Sequence, residues 1–151
     1  MLRNGINDAL KEAMKARDER RVATLRMVNA AIKNADIEAR GQGKEALNEA
    51  DLLSLLQKMI KQRQESADLY DKGGRPELAQ QEREEIEIIS AYLPKQMSDA
   101  EAGLAISAML QDINAQSIKD MGRAMAALKE RFAGKMDFSK ASAKVKELLN
   151  R

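Results

Sequence analysis

The chain has 151 residues, of which 26 are Lys or Arg and 24 are Asp or Glu, so its formal net charge is only +2. It contains no His and no Cys, which excludes disulfide bonds, Cys/His zinc sites and nucleophiles of the Ser-His-Asp or Cys-His type. The apolar stretches are short and no signal-peptide core is visible, so we expect a cytoplasmic protein without a membrane span.

Apolar residues recur at three- and four-residue spacing along the whole chain, which predicts an all-α fold. Four helices are predicted first, over about 2–17, 19–40, 49–72 and 76–93. Pairs of glycines mark two of the breaks, and Pro94 ends the fourth helix because proline disfavours helical geometry in the residue before it.

Three shorter helices are predicted after the second proline. Ser98 and Glu101 form a capping box at the start of the first, and Ser117 begins the second in a similar way. Gly134 closes that helix, and Asp137 caps the last one.

The difference in helix length predicts two packing units. We expect a larger N-terminal helical domain of about four helices, residues 1–97, followed by a small C-terminal three-helix bundle, residues 98–151. No repeat or low-complexity linker separates them.

Charge is unevenly distributed along the chain. Residues 117–151 carry nine basic and four acidic side chains, whereas residues 34–97 carry nine and thirteen. A basic bundle of this kind either binds a phosphate backbone or simply has a well-solvated surface. Phe132 and Phe138 occupy predicted core positions, so we expect recognition of RNA shape and phosphates rather than stacking on bases.

Other charged groups favour ordinary surface roles. The basic side chains of the second helix, which include Arg20 and Arg26, are interpreted as its wet face. The acidic run of the fourth helix is likewise interpreted as solvated, since a di-iron bundle would need histidines. That run comprises Glu82, Glu84, Glu85 and Glu87.

Gly122 lies inside the predicted sixth helix, where glycine costs about 1 kcal/mol relative to alanine. Close approach of a neighbouring helix or of a partner's backbone would offset that cost, and the sequence leaves both explanations open.

Four ordered stretches together carry a resemblance to a known family. They are Thr24-Leu25-Arg26-Met27-Val28-Asn29-Ala30-Ala31-Ile32-Lys33-Asn34, Lys61-Gln62-Arg63-Gln64-Glu65-Ser66, Glu87-Ile88-Ile89 through Ala91-Tyr92-Leu93-Pro94-Lys95-Gln96-Met97-Ser98, and Lys119-Asp120-Met121-Gly122 with Gly134-Lys135-Met136-Asp137. With these motifs the chain resembles a free-standing member of the GatB/YqeY family over nearly its whole length.

The resemblance implies an all-helical protein with a three-helix C-terminal domain. A similar module forms the tail of the GatB subunit of the glutamine-dependent tRNA amidotransferase, where it contacts tRNA while the chemistry occurs elsewhere. Family members are often labelled as carbon-nitrogen ligases with glutamine as amido-N-donor. This chain has no Ser/Lys amidase pattern, no Gly-rich phosphate loop and no thiol, so we expect it to have no catalytic residues, cofactor or metal of its own.

The basic C-terminal segment and the resemblance together predict a tRNA-binding or tRNA-enzyme accessory module. We expect Lys119, Arg123, Lys135 and Lys140 to bind phosphates, and Gly122 and Gly134 to permit close approach of the backbone. Ala126 stands where many relatives have a second glycine, and Phe138 where a small residue is usual. Both departures weaken what the resemblance implies about close approach of the backbone near Gly122 and Gly134.

Two alternatives remain open. The chain is either a protein-interaction module that docks on an amidotransferase or an aminoacyl-tRNA synthetase, or a ligase component with the activity that the family label implies. Exposed apolar residues on the third helix would favour the docking module.

Overall fold

The structure, a computed structural model, describes residues 1–150 and contains only helices within that range, which confirms the all-α class. The N-terminal helices are α1 (Leu2–Ala16), α2 (Glu19–Gly41), α3 (Glu49–Lys72) and α4 (Pro76–Ser90). They are followed by α5 (Asp99–Asp112), a 3-10 turn (Ile118–Asp120), α6 (Met121–Arg131) and α7 (Phe138–Leu149).

Local hydrogen bonds explain where several helices begin. The Asn48 side chain accepts from the backbone N–H of Asp51 at 2.8 Å, and the Asp51 carboxylate accepts from the N–H of Asn48 at 3.3 Å. Ser98 and Glu101 make the same reciprocal pair at 3.1 and 3.0 Å, so the predicted capping box is confirmed. Asp137 caps α7 as predicted.

The end of α4 differs from the prediction. The helix ends at Ser90 rather than near Leu93, and the chain continues in a tighter turn in which Leu93 donates to the carbonyl of Ser90 at 3.1 Å. Pro94 restricts the residue before it, so the last regular helical turn is lost earlier than the apolar pattern alone indicates.

The chain divides into two compact units, Met1–Leu93 and Pro94–Arg151, hereafter the N-terminal unit and the C-terminal unit. Each has its own buried apolar cluster: Ile6, Leu25, Val28, Leu56 and Ile89 are among the first, and Ile106, Met109, Leu128, Val145 and Leu149 among the second. The predicted division into four-helix and three-helix domains with a boundary at 97/98 stays a prediction. Arg151, the last residue of that second domain, lies outside the described residues.

The acidic run of α4 is not wholly solvated, so that prediction is wrong for one member. Glu85 is buried, and its carboxylate accepts from Nε of Arg63 at 3.1 Å. Arg63 also donates from Nη1 to the carbonyl of Met59 at 3.1 Å. Partial burial, and then the negative charge of the neighbouring Glu85, raise the pKa of Glu82. Glu85 therefore belongs to a buried structural ion pair.

Within residues 1–150, no helix combines the length and apolarity needed to cross a membrane.

Candidate nucleic-acid interface

The C-terminal unit exposes most of the cations that the sequence singles out. Lys119, Lys135 and Lys140 are exposed, and no ion pair involves them within the described part of the chain. Arg123 is also exposed, at 54% of its side chain, but it is engaged within the unit.

Arg123 connects the end of α5 to the turn that precedes α6. Its Nη1 donates to the carbonyl of Ile113, just beyond the end of α5, at 2.5 Å, and its Nη2 donates to Oδ1 of Asp120 at 3.1 Å. A cation is favourable at this position because the last carbonyls of a helix lack intrahelical partners. The guanidinium thus has a structural role that sequence reasoning did not anticipate.

Lys135 and Lys140 lie near the opposite end of α5 from Arg123. The carbonyl of Lys135 accepts from the N–H of Met97 at 2.8 Å, just before α5 begins. Since α5 has 14 residues and a length of about 21 Å, the structure does not bring the four predicted cations into one cluster. Lys119 and Arg123 form one group, and Lys135 and Lys140 form another.

The two glycines have different surroundings. Gly134 is buried, has a φ of 75°, and its carbonyl accepts from Nε2 of Gln96 at 2.5 Å. That left-handed turn requires glycine for reasons internal to the fold. Gly122 is exposed, and a Cβ added there would meet no atom within 4 Å. Close packing within the unit is therefore not the reason for glycine at position 122.

One exposed face of α6 and of the turn before it carries both cationic and small residues. Lys119, Gly122, Ala126 and Lys129 follow one another at spacings of three, four and three residues, and all four are exposed. Residues at these spacings share a helix face, and Ala124 and Leu128 are buried on the other side. We call this surface the α6 stripe.

Lys129 is the member that the sequence-based choice of site residues omitted. It has no ion pair among residues 1–150, whereas Arg131, two positions later, pairs with Asp112 at 3.0 Å. The signal was its spacing of seven residues from Gly122, which places both on one face.

The acidic group that follows Lys119 in the sequence, Asp120, already has hydrogen-bond partners. The Asp120 carboxylate accepts from the N–H of Gln116 at 2.8 Å and from Arg123, and these bonds lower its pKa. Phe132 and Phe138 pack against the buried cluster, so the predicted core role of these two rings is confirmed. The stripe thus offers ammonium groups and a low, flat surface, without an aromatic side chain for base stacking.

No group of three or more acidic side chains within residues 1–150 is positioned to hold a metal ion. Among large apolar side chains of α3, only Leu69 is strongly exposed in the described structure, and single exposed leucines are ordinary.

A family model described as "Yqey-like protein" matches residues 3–149. The chain belongs to this family. Curated relatives include "Altered inheritance of mitochondria protein 41, mitochondrial" from Lachancea thermotolerans, 40% identical over 69% of this chain and 55% of the relative. The protein of the same name from Eremothecium gossypii is 38% identical over 56% of this chain and 44% of the relative.

The chain spans about half the length of the curated relatives that it matches. Their names contradict the cytoplasmic location expected from the sequence, because they describe mitochondrial proteins. Proteins of several compartments lack cysteine and have only short apolar stretches. These features of the sequence therefore do not distinguish a cytoplasmic from a mitochondrial location.

Proposed function

We propose that this YqeY-like protein is a non-catalytic tRNA-binding or tRNA-enzyme accessory module that contacts RNA through its C-terminal unit. The observation that carries the proposal is the α6 stripe, where two lysines that form no ion pair within the described residues flank the open surface over Gly122 and Ala126. The proposal keeps two helical domains, 1–97 and 98–151, with the contact in the second.

The stripe suits a phosphate backbone better than a base. Lysine ammonium groups act as point charges on phosphates, and small side chains between them let a sugar-phosphate chain approach the helix. Single-stranded RNA is usually gripped by stacking bases on aromatic rings, which this surface lacks. We therefore expect a folded RNA to bind through its shape and charge, with little dependence on sequence.

The two groups of cations differ in what they offer. Lys119 and Lys129 have no ion pair to break within the described residues, whereas Arg123 would have to leave Ile113 and Asp120 before it could bind a phosphate. We propose Lys119 and Lys129 as the principal contacts, and Lys135 and Lys140 as a separate group that reaches phosphates farther along the same backbone.

The test is binding of fluorescently labelled tRNA by the full chain at several salt concentrations. We expect affinity to fall steeply with salt, because each neutralised phosphate releases counterions. The double variant Lys119→Glu/Lys129→Glu should bind at least about tenfold more weakly and have a smaller salt slope, by roughly two contacts at about 0.7–0.9 each.

A matched control is Lys44→Glu/Lys58→Glu, which makes the same change in net charge on two exposed lysines of the N-terminal unit. If this control weakens binding as much as the stripe variant, net charge alone governs binding and the proposed interface is wrong. Absence of salt-sensitive tRNA binding at low ionic strength would refute the proposed function itself.

A further inference from the structure

A groove between α5 and α7 lies apart from the α6 stripe. It has a volume of about 930 Å³ and is bordered by fifteen residues of the C-terminal unit. Ile106, Met136 and Leu148 are among the apolar residues that line it. The two helices start at the same end of the groove, since the N–H of Met97, just before α5, donates to the carbonyl of Lys135, just before α7, at 2.8 Å.

The α5 side of the groove carries an unpartnered apolar projection. Leu104 is 75% exposed, the most of any leucine or isoleucine within residues 1–150. Its neighbour Gly103 has no atom within 4 Å of the position that a Cβ would take. Ala100 and Ser107 also border the groove, so this side of the helix is smooth except for Leu104.

Opposite charges border the two sides. Asp99 stands at the start of α5, whereas Lys140 and Lys144 stand one turn apart on α7. Lys140 has no ion pair within residues 1–150, and Lys144 has only a loose one with Glu147 at 3.9 Å. The α7 edge also includes Asp137, whose carboxylate accepts from backbone N–H groups at the start of α7. The surface therefore combines a projection with a groove, and an acidic α5 edge with an α7 edge on which two lysines outnumber one carboxylate.

We propose that this groove is the interface for a second copy of the chain in a two-fold symmetric dimer. A two-fold interface uses the same patch on both partners, so the patch must complement itself. Leu104 of each protomer would enter the groove of the other, and each Asp99 would face the partner's lysines. An acidic peptide would match the lysines but would oppose Asp99, and it would leave Leu104 without a counterpart.

The size of the surface sets the expected strength. Stable interfaces use about 20–30 residues on each side, whereas fifteen border this groove. We therefore expect a dimer whose population depends on concentration. This inference goes beyond RNA binding and does not depend on the α6 stripe. Lys140 belongs to both surfaces, so it is open to phosphates in the monomer and faces the partner's Asp99 in the dimer.

The first test is sedimentation equilibrium of the nuclease-treated full chain over a wide concentration range. The mass should rise from 16.8 kDa towards twice that value. Leu104→Glu should raise the dimer dissociation constant at least about tenfold, as loss of a central apolar contact does. Leu69→Glu is the matched control, because Leu69 is a leucine of the N-terminal unit that is 67% exposed, and it should leave the constant unchanged.

The second test uses charge reversal. Asp99→Lys alone and Lys140→Glu/Lys144→Glu alone should each dimerise more weakly than the natural chain, because like charges then face each other across the interface. An equimolar mixture of these two variants should recover dimers, since each protomer then supplies the charge that the other needs.

A chain that stays monomeric at the highest concentrations overturns the proposal, as do equal effects of the two leucine substitutions. The proposal is also overturned if the mixture of charge variants does not recover dimers although both variants keep their helical circular dichroism. Loss of tRNA binding by the stripe variant with an unchanged dimer constant would separate this inference from the proposed function.

Discussion

Replacing Glu85 by Leu tests whether the buried ion pair stabilises the N-terminal unit. The side chains of Arg63 and Glu85 are only 12% and 10% exposed, and Nε and Oε2 lie 3.1 Å apart. Removing one partner of a buried pair costs about 3–5 kcal/mol because the other charge stays desolvated. Since both side chains keep some contact with solvent, we expect a loss near the lower end, about 3 kcal/mol.

Urea unfolding followed by tyrosine fluorescence measures this loss selectively. The two tyrosines, Tyr70 and Tyr92, both lie in the N-terminal unit, and the chain has no Trp. With an m-value of roughly 1.5 kcal/mol/M for a unit of this size, the midpoint should fall by about 2 M. The m-value itself should not change, because the surface exposed on unfolding is nearly the same.

Two comparisons make the result decisive. Glu77→Leu breaks the Arg75–Glu77 pair, whose side chains are both 61% exposed, and should shift the urea midpoint much less than Glu85→Leu does, because solvent screens an exposed pair. The double variant Arg63→Met/Glu85→Leu should be more stable than either single variant, since no charge is then left buried alone. If Glu85→Leu shifts the midpoint no more than Glu77→Leu, or if the two losses at the buried pair simply add, this account of the pair is wrong.

Three further predictions concern single sites. Arg3 donates two hydrogen bonds to Asp36, at 2.8 and 2.7 Å, and lowers the pKa of Asp36 to about 2. Because this pKa is depressed, the contribution of the pair to stability is complete above about pH 4 and is lost as the pH falls towards 2. Urea midpoints of the natural chain should therefore fall over that pH range more than those of Asp36→Asn. Gly134→Ala should destabilise the C-terminal unit by about 1 kcal/mol, because the φ of 75° disfavours a side chain. Gly122→Ala should stabilise it by about 0.5–1 kcal/mol, since open space surrounds that position. The two substitutions should shift the thermal unfolding midpoint, followed by circular dichroism, in opposite directions, and shifts of the same sign would contradict the assigned surroundings. Thr24 has a fully buried hydroxyl with no hydrogen-bond partner among residues 1–150. Thr24→Val should therefore not reduce stability and should raise it by up to about 1 kcal/mol, as measured by tyrosine-detected urea unfolding. A clear loss of stability would show that the hydroxyl is hydrogen-bonded.

The positions of helix ends were largely predictable from the sequence because they depend on short-range interactions. Asn48, Ser98 and Asp137 each accept a hydrogen bond from a backbone N–H two or three residues later, so the information lies within one helical turn. Gly134 likewise marks a left-handed turn that few other residues adopt. The end of α4 was placed less well, because a proline limits how far a helix extends without fixing its last turn.

Part of the candidate site was also accessible to sequence reasoning. Lys119, Lys135 and Lys140 lie off the apolar stripes, and the structure exposes all three. Arg123 has the same spacing signal but donates to Ile113 and Asp120. No periodicity distinguishes a cation that faces solvent from one that reaches across to the end of another helix.

The residue pattern was sufficient to show that the chain is all-helical, where most of its helices begin, and which side chains lie on their apolar faces. The packing of the helices was needed to show that Glu85 is buried against Arg63 and that Lys119 and Lys140 lie in separate groups of cations. Helix starts depend on hydrogen bonds between residues two to four positions apart. Burial and pairing depend on which helix faces meet, and the Arg63–Glu85 contact joins residues more than twenty positions apart in sequence.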